Sequence, residues 1–216
     1  MRQAEGDPIV WLAHQVLDNR PLQTGVYGKS AVIKKEDLNE FILKKSDIVI
    51  TGTNKLRYAI NNLFREEITP VRRLDFINEG EKIICRKNNW NRSIEDTLFL
   101  TNGLSGYADY IDRESFNGKE IKIDFRPDFL KNKCFKNLIV DFKHLFEEPS
   151  SSKDDRTVFG RERFEFAYAL TCHSTQGSTY PNVVFLNEKG VFDNETYKRL
   201  QYTAITRASE QITVVI

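Results

Sequence analysis

The carboxyl-terminal stretch limits the fold more than any other part of the chain. Val183-Val184-Phe185-Leu186 is an apolar, β-branched run. Glu195 to Ala208 carries a helical pattern, and Ile212-Thr213-Val214-Val215-Ile216 is a second apolar run. Two buried strands joined by a helix form a parallel pair with a crossover, and such sheets are covered on both faces. Phe164 to Leu170 reads as one more strand ahead of them. The amino-terminal part repeats the alternation. Asp7-Pro8 starts a helix with Ile9, Trp11, Leu12, Val16 and Leu17 at helical spacing, because Asp caps and Pro suits the first helical position. Glu36 to Lys45 reads as an amphipathic helix. Asp47 to Thr51 is a strand ending at Gly52, and Thr53-Asn54 can cap the helix that follows, with Leu56, Ile60, Leu63, Phe64 and Ile68 along it.

Between these blocks the pattern changes. Lys82 to Cys85, Gly106 to Ile111 and Glu120 to Phe125 read as short strands, with turn signals at Asn88 to Asn91, Thr101-Asn102-Gly103 and Asn117-Gly118. Pro149 to Asp155 reads as a mobile loop. The expected organisation is one α/β domain, residues 1–75 and 165–216, with a parallel sheet and helices on both faces. A β-rich module at 76–164 interrupts it.

Several chemistries are excluded. The longest apolar runs are far too short to span a bilayer, and the first residues lack a signal peptide's apolar stretch, so no membrane partner is expected. Cys85, Cys134 and Cys172 are odd in number and widely spaced, as in a reduced, cytoplasmic protein. They and His14, His144 and His173 form no ligand spacing, so no metal site is expected. Gly25 to Ser30 ends in Gly28-Lys29-Ser30, but Gln23 stands where a phosphate loop needs its first Gly and no apolar strand precedes it. It reads as a surface turn. No Asp-Glu pair follows an apolar strand to hold magnesium. A net charge of +1 rules out a basic coat but leaves room for a local phosphate-binding surface.

Two segments carry a sharper signal. Thr171-Cys172-His173-Ser174-Thr175-Gln176-Gly177-Ser178-Thr179 places hydroxyls and a Gly directly after a strand, where α/β proteins bind ligands. Tyr202-Thr203-Ala204-Ile205-Thr206-Arg207-Ala208 sets one Arg at the end of a helix of small and apolar residues. That guanidinium suits either the helix's last carbonyls or a phosphate. Together they resemble motifs V and VI of superfamily 1 DNA helicases, written T-x-H-K-S-Q-G-S-x and Y-T-A-I-T-R-A, and most closely the RecD-like and phage Dda-like branch. Arg2-Gln3-Ala4 resembles part of motif IV. Thr53-Asn54-Lys55 also fits, as does Gly80 to Ile84 leading to Asn102-Gly103, which in that family opens an inserted SH3-like module. Ser174 stands where the family usually has Lys, and Thr179 where relatives often have Glu.

The resemblance implies a RecA-like second motor domain. It implies Arg207 as arginine finger and Arg2 as a second γ-phosphate sensor. Gln176, Gly177 and Thr179 would lie at the ATP cleft. His173, Ser174, Thr175, Thr53 and Asn54 would face single-stranded DNA, with Trp90 of the module stacking a base. ATP and Mg2+ would be held mainly by a first motor domain, which this chain lacks; the chain starts and stops as a dissected fragment does. The whole motor would move 5′-to-3′ on single-stranded DNA, in DNA repair or recombination, and the 216 residues alone would not hydrolyse ATP. The alternatives are a non-enzymatic module binding single-stranded DNA or a protein, and a degenerate relic with a structural role.

Overall fold

Asp7 and Pro8 begin the first helix as their chemistry dictates, the Asp7 carboxylate accepting from the Ile9 amide at 2.7 Å. In the computed structural model, which describes residues 6–146 and 160–216, this helix is α1 (Pro8–Leu17). Arg2 and the Pro149 to Asp155 stretch lie outside the described residues. The chain separates into two compact units. One is Met1–Thr69 with Tyr168–Ile216, and the other is Pro70–Ala167.

The first unit continues with β1 (Gly25–Tyr27) and β2 (Ser30–Ile33), an antiparallel pair in which Tyr27 faces Ser30 across Gly28-Lys29. The lysine-containing turn is therefore a hairpin with no helix after it. The helix expected over 36–45 is broken. A 3-10 turn, Lys35–Asp37, precedes α2 (Glu40–Lys45), because Asn39 caps the Ile42 amide and restarts the helix there. β3 (Ile48–Thr51) leads through Gly52 to α3 (Asn54–Leu63), capped by Thr53 as expected, and α3 runs into a π-helical turn, Phe64–Ile68.

The second unit contains β4 (Lys82–Cys85), β5 (Asn89–Ile94), β6 (Leu98–Leu100), β7 (Ser105–Asp112), β8 (Glu120–Pro127), β9 (Phe135–Asp141), a short α4 (Phe142–Phe146) and β10 (Phe164–Phe166). Five strands form an antiparallel sheet in the order β10-β4-β7-β8-β9, and β5 pairs with β6 as a hairpin. Glu162 ties the two ends of that sheet together. Its amide donates to Ile139 and its carbonyl accepts from Asp141, two residues before β10 begins. The sheet thus curls into a small barrel, which removes an exposed strand edge.

The chain returns to the first unit at β11 (Ala169–Thr171), then β12 (Tyr180–Leu186), α5 (Asn194–Ile205) and β13 (Ala208–Val215). Phe164 to Leu170 is thus two strands, not one. β10 pairs with β4, Ala167 and Tyr168 make the handover, and β11 pairs with β3. The unit boundaries accordingly fall at 69/70 and 167/168. The last helix stops at Ile205 and the final strand starts at Ala208, because Thr206 and Arg207 form the turn between them.

The first unit's sheet has the order β1-β2-β13-β12-β3-β11, parallel throughout except for β1. It is α/β, with helices on both faces. α1 and α5 pack on each other and on β13. On the opposite face Leu43, Ile60, Phe64 and Ile68 pack over Val49, Ala169, Val184, Leu186 and Val215. No helix among the described residues is long and apolar enough to cross a membrane.

β11 is an edge strand, and the peptide of Ala169 that faces away from β3 has no strand to meet. Asn61 on α3 supplies the partner. Its Nδ2 donates to the Ala169 carbonyl at 3.1 Å and its Oδ1 accepts the Ala169 amide at 2.9 Å. Asn61 is 3% exposed, so water cannot replace it. Asn61→Ala is expected to destabilise folding by about 2–4 kcal/mol, one buried donor and one acceptor being left unpaired. Urea unfolding measures this, and a loss under about 1 kcal/mol would contradict it.

Candidate functional site

The sheet has two edges, and the residues of interest divide between them. At the carboxyl edge, Thr171 ends β11 and caps the 3-10 turn Cys172–Thr175. Its hydroxyl accepts from the Ser174 amide and lies 2.9 Å from the Ser174 hydroxyl. His173 is exposed and Ser174 half-buried. Thr175 is 0% exposed, and its hydroxyl donates to the Cys172 carbonyl at 2.7 Å. The expected strand-facing role of Thr175 is therefore corrected: its polar atom is committed inside the turn.

From Gln176 the chain runs back to the amino edge, where Tyr180 begins β12. Gln176 and Thr179 are exposed, and Gly177 adopts φ +87°, a backbone state L side chains avoid. Segment 172–179 thus crosses the whole height of the sheet, beside α5 and β3.

Arg207 meets this segment at its far end. It leaves the turn after α5, immediately before β13. Nη1 donates to the Ser178 carbonyl at 3.1 Å, Nε to the Thr203 carbonyl at 3.2 Å, and Nη2 lies 3.3 Å from the Thr206 hydroxyl. The Tyr180 amide also donates to the Arg207 carbonyl at 2.8 Å. The two sequence motifs are therefore physically joined, at the edge opposite to His173 and Ser174. Burial pushes the Cys172 thiol from its ordinary 9.0 up to about 11, and the Arg207 charge acts weakly the other way.

Thr53 is not a free group, and Asn54 is engaged through its oxygen. The Glu188 carboxylate, just beyond β12, accepts from the Gly52 amide at 2.6 Å, the Thr53 amide at 2.9 Å and the Thr53 hydroxyl at 2.7 Å. The Asn54 Oδ1 accepts from Arg57 Nε at 3.2 Å. Gly52 admits this arrangement: a Cβ there would sit 2.9 Å from Glu188 Oε2 and 2.8 Å from the Phe192 ring. The strand end between β3 and β12 thus carries an anion of the chain's own, so Thr53 does not present the open hydroxyl expected of it, whereas Asn54 is exposed with its Oδ1 engaged. Glu188 was invisible to sequence reasoning, since nothing in spacing links it to residues some 135 positions away.

In the second unit Trp90 is 64% exposed on β5, edge-on to Phe99 at 5.7 Å between centroids. It is a surface aromatic rather than a core one. Among the described residues no three His, Cys, Asp or Glu side chains gather as a metal site would require.

Residues 166–215 match the family model of the UvrD-like helicase C-terminal domain. A 145-residue stretch, 63% of this chain, is 40% identical to an uncharacterized protein of Methanocaldococcus jannaschii, of which it covers only 10%. Among solved structures, Pif1 helicase from Bacteroides in complex with ADP-AlF3 and single-stranded DNA is 13% identical. The match covers 99% of this chain and 50% of that one, with a TM-score of 0.51. Bacteroides Pif1 bound to single-stranded DNA is likewise 13% identical over 99% and 50%, with a TM-score of 0.52. The chain spans about half the length of these structures. The shared feature is the fold: mixed α/β, with a parallel-containing sheet like that of the helicase's RecA-like domain.

Two outcomes follow from the geometry. Glu188→Ala should cost about 1–3 kcal/mol of folding stability, because it uncaps two amides and a hydroxyl at once; an unchanged denaturation midpoint would contradict this. The raised Cys172 value means that the folded chain holds that proton more tightly than the unfolded chain does. The resulting stability is complete below pH 9.0 and is lost towards about 11. The stability gap between wild type and Cys172→Ala should therefore shrink across that window.

Proposed function

We propose that this chain is the second motor domain of a superfamily 1 DNA helicase of the RecD-like branch. It supplies the arginine finger and part of the single-strand groove to an ATP-driven motor. The observation that carries the reading is the Arg207–Ser178 hydrogen bond, which joins the two helicase-like motifs across the amino edge of the sheet. The family match over 166–215 covers both motifs, and the solved relatives of the same fold are helicases seen with ADP-AlF3 and single-stranded DNA. On this reading the β-rich unit is the family's inserted SH3-like module, and the unit works with a first motor domain. That domain would hold most of the nucleotide and the Mg2+.

Arg207 would release the Ser178 and Thr203 carbonyls and offer its guanidinium to the γ-phosphate, stabilising charge that develops on transfer. ATP supplies the phosphoryl group whose transfer to water drives the motor. Arg2 would be a second phosphate sensor. Gln176, Gly177 and Thr179 lie on the strap between the two edges and would line the cleft. At the strap's other end His173 and Ser174 would contact phosphates of the strand, giving position without sequence. Thr175 would act only by holding that turn. Asn54 would join them from its exposed position, and Thr53 only if Glu188 vacated its seat. Trp90 would stack a base from the module. Because 172–179 is one continuous segment, the release of Ser178 by Arg207 would be felt at Ser174, which would link nucleotide state to grip on the strand. Translocation 5′-to-3′, a repair or recombination pathway and a cytoplasmic location belong to the same reading.

A second reading rests on the same guanidinium. Its bonds to Thr203 and Ser178 are those of an Arg that simply caps a helix end, as a non-enzymatic strand- or protein-binding module would have. The intact protein decides. Arg207→Ala should lower ATP turnover on the order of 10³-fold or more while leaving ATP binding in place, and Arg207→Lys should not rescue it. Normal turnover in Arg207→Ala would defeat the motor reading. So would turnover by the 216 residues alone.

A further inference from the structure

A pocket unconnected with Arg207 opens at the carboxyl edge of the sheet, between the end of α1 and the first half of α5, with a volume of about 450 Å³. That is within the range of small-molecule sites. Its wall carries three cations, Arg20, Lys189 and Lys198, no Asp or Glu side chain lines it, and the α-carboxylate of Ile216 in the 216-residue chain is the one negative group among the lining residues. Arg20 pairs with the exposed Asp18 only at 3.7 Å, outside the pocket. Lys198 gives one hydrogen to the Leu17 carbonyl at 2.6 Å, which fixes the ammonium at the rim with two hydrogens to spare.

The inner wall is neutral and polar. Gln201 donates to the Tyr197 hydroxyl at 3.3 Å, and Tyr197 also bonds with Asn187; burial raises the phenol's pKa. Asn187 is 8% exposed, and its Oδ1 finds no donor among its neighbours. A buried acceptor left unpaired costs stability, and such groups mark places where something outside the fold completes the bonding. Val16, Leu22 and the Tyr197 ring supply an apolar wall beside it. Cations at the mouth, an unmet acceptor on the inner wall and an apolar side between them call for one kind of guest.

We propose that this pocket binds a small organic phosphate whose other end carries a hydrogen-bond donor, a nucleoside monophosphate being the simplest that fits. The phosphate would sit among Arg20, Lys189 and Lys198, with the sugar or base towards Tyr197 and Asn187. The assignment stands on this pocket alone and does not depend on the helicase reading.

The test is calorimetric titration of the 216-residue chain with AMP, with adenosine and with an unphosphorylated thymidine oligomer. AMP should bind at one site, and adenosine at least about tenfold more weakly, since it lacks the charge. Affinity should fall below about pH 6, where the phosphate loses its second charge. Lys189→Glu, at an exposed position, should weaken AMP by about tenfold or more at an unchanged melting temperature. Asn187→Asp should weaken it as well, by repulsion. The proposal is overturned if AMP fails to bind at about 10 mM, or binds Lys189→Glu as well as wild type. It is overturned equally if the oligomer displaces AMP and binds more tightly, which would make the pocket a strand contact.

Discussion

The pairing of Asn61 with Ala169 is the contact on which the rest of the first unit depends. β11 is three residues long, lies at the sheet edge, and is entered straight from the other unit. A strand that short has little pairing of its own to keep its register. Asn61 meets the outward amide and carbonyl of Ala169 together, as a neighbouring strand would. A one-residue slip of β11 would break both bonds. It would also turn Ala169 out of the cluster formed with Val49, Ile60 and Val184. Since Thr171 is two residues further on, the same contact sets where the 172–175 turn begins.

That dependence explains how the strap is held at its two ends. One end is set by β11 and the cap at Thr171, the other by the Tyr180 amide on the Arg207 carbonyl and the Arg207 guanidinium on Ser178. Between them Gln176 and Gly177 are exposed. Stiff ends and an open middle let a segment shift without unfolding its neighbours. Thr175 is the exception: its buried hydroxyl closes the 3-10 turn, so the carboxyl-edge end moves as a unit.

What could be read from the sequence was what is contiguous in it. Thr171 to Thr179 and Tyr202 to Ala208 are unbroken runs, and strand, turn and helix follow from each run's own residues. The cap at Thr53 was equally legible, because its partner Leu56 is three residues away. The Glu188 clasp and the Asn61 pairing were not, because each joins residues more than a hundred positions apart through backbone groups, which carry no residue signature. The split at Ala167-Tyr168 was hidden for another reason. Phe164 to Leu170 has no Gly or Pro, and its one charged residue, Glu165, falls inside β10 rather than at the handover, so nothing local marks the change of sheet. The helix expected to run to Ala208 failed where Thr206 and Arg207 turn, two residues with no strong breaker chemistry of their own.

The loop after β12 shows how one short stretch serves two surroundings. Asn187 and Lys189 face the α1–α5 pocket, while Glu188 between them reaches to Gly52 and Thr53. Consecutive extended residues point to opposite sides, so the alternation that places Val183 and Val184 on opposite sheet faces continues past the strand's last hydrogen bond. The carboxylate then acts as an anchor. With three donors on it, the loop has little freedom to swing, and the pocket wall keeps its shape with Asn187 Oδ1 unpaired rather than collapsing to satisfy it. An unmet acceptor persists only where the surrounding structure fixes it more strongly than its own desolvation penalty pulls it away. Here the fixing comes from Glu188, one residue away and on the opposite side of the loop.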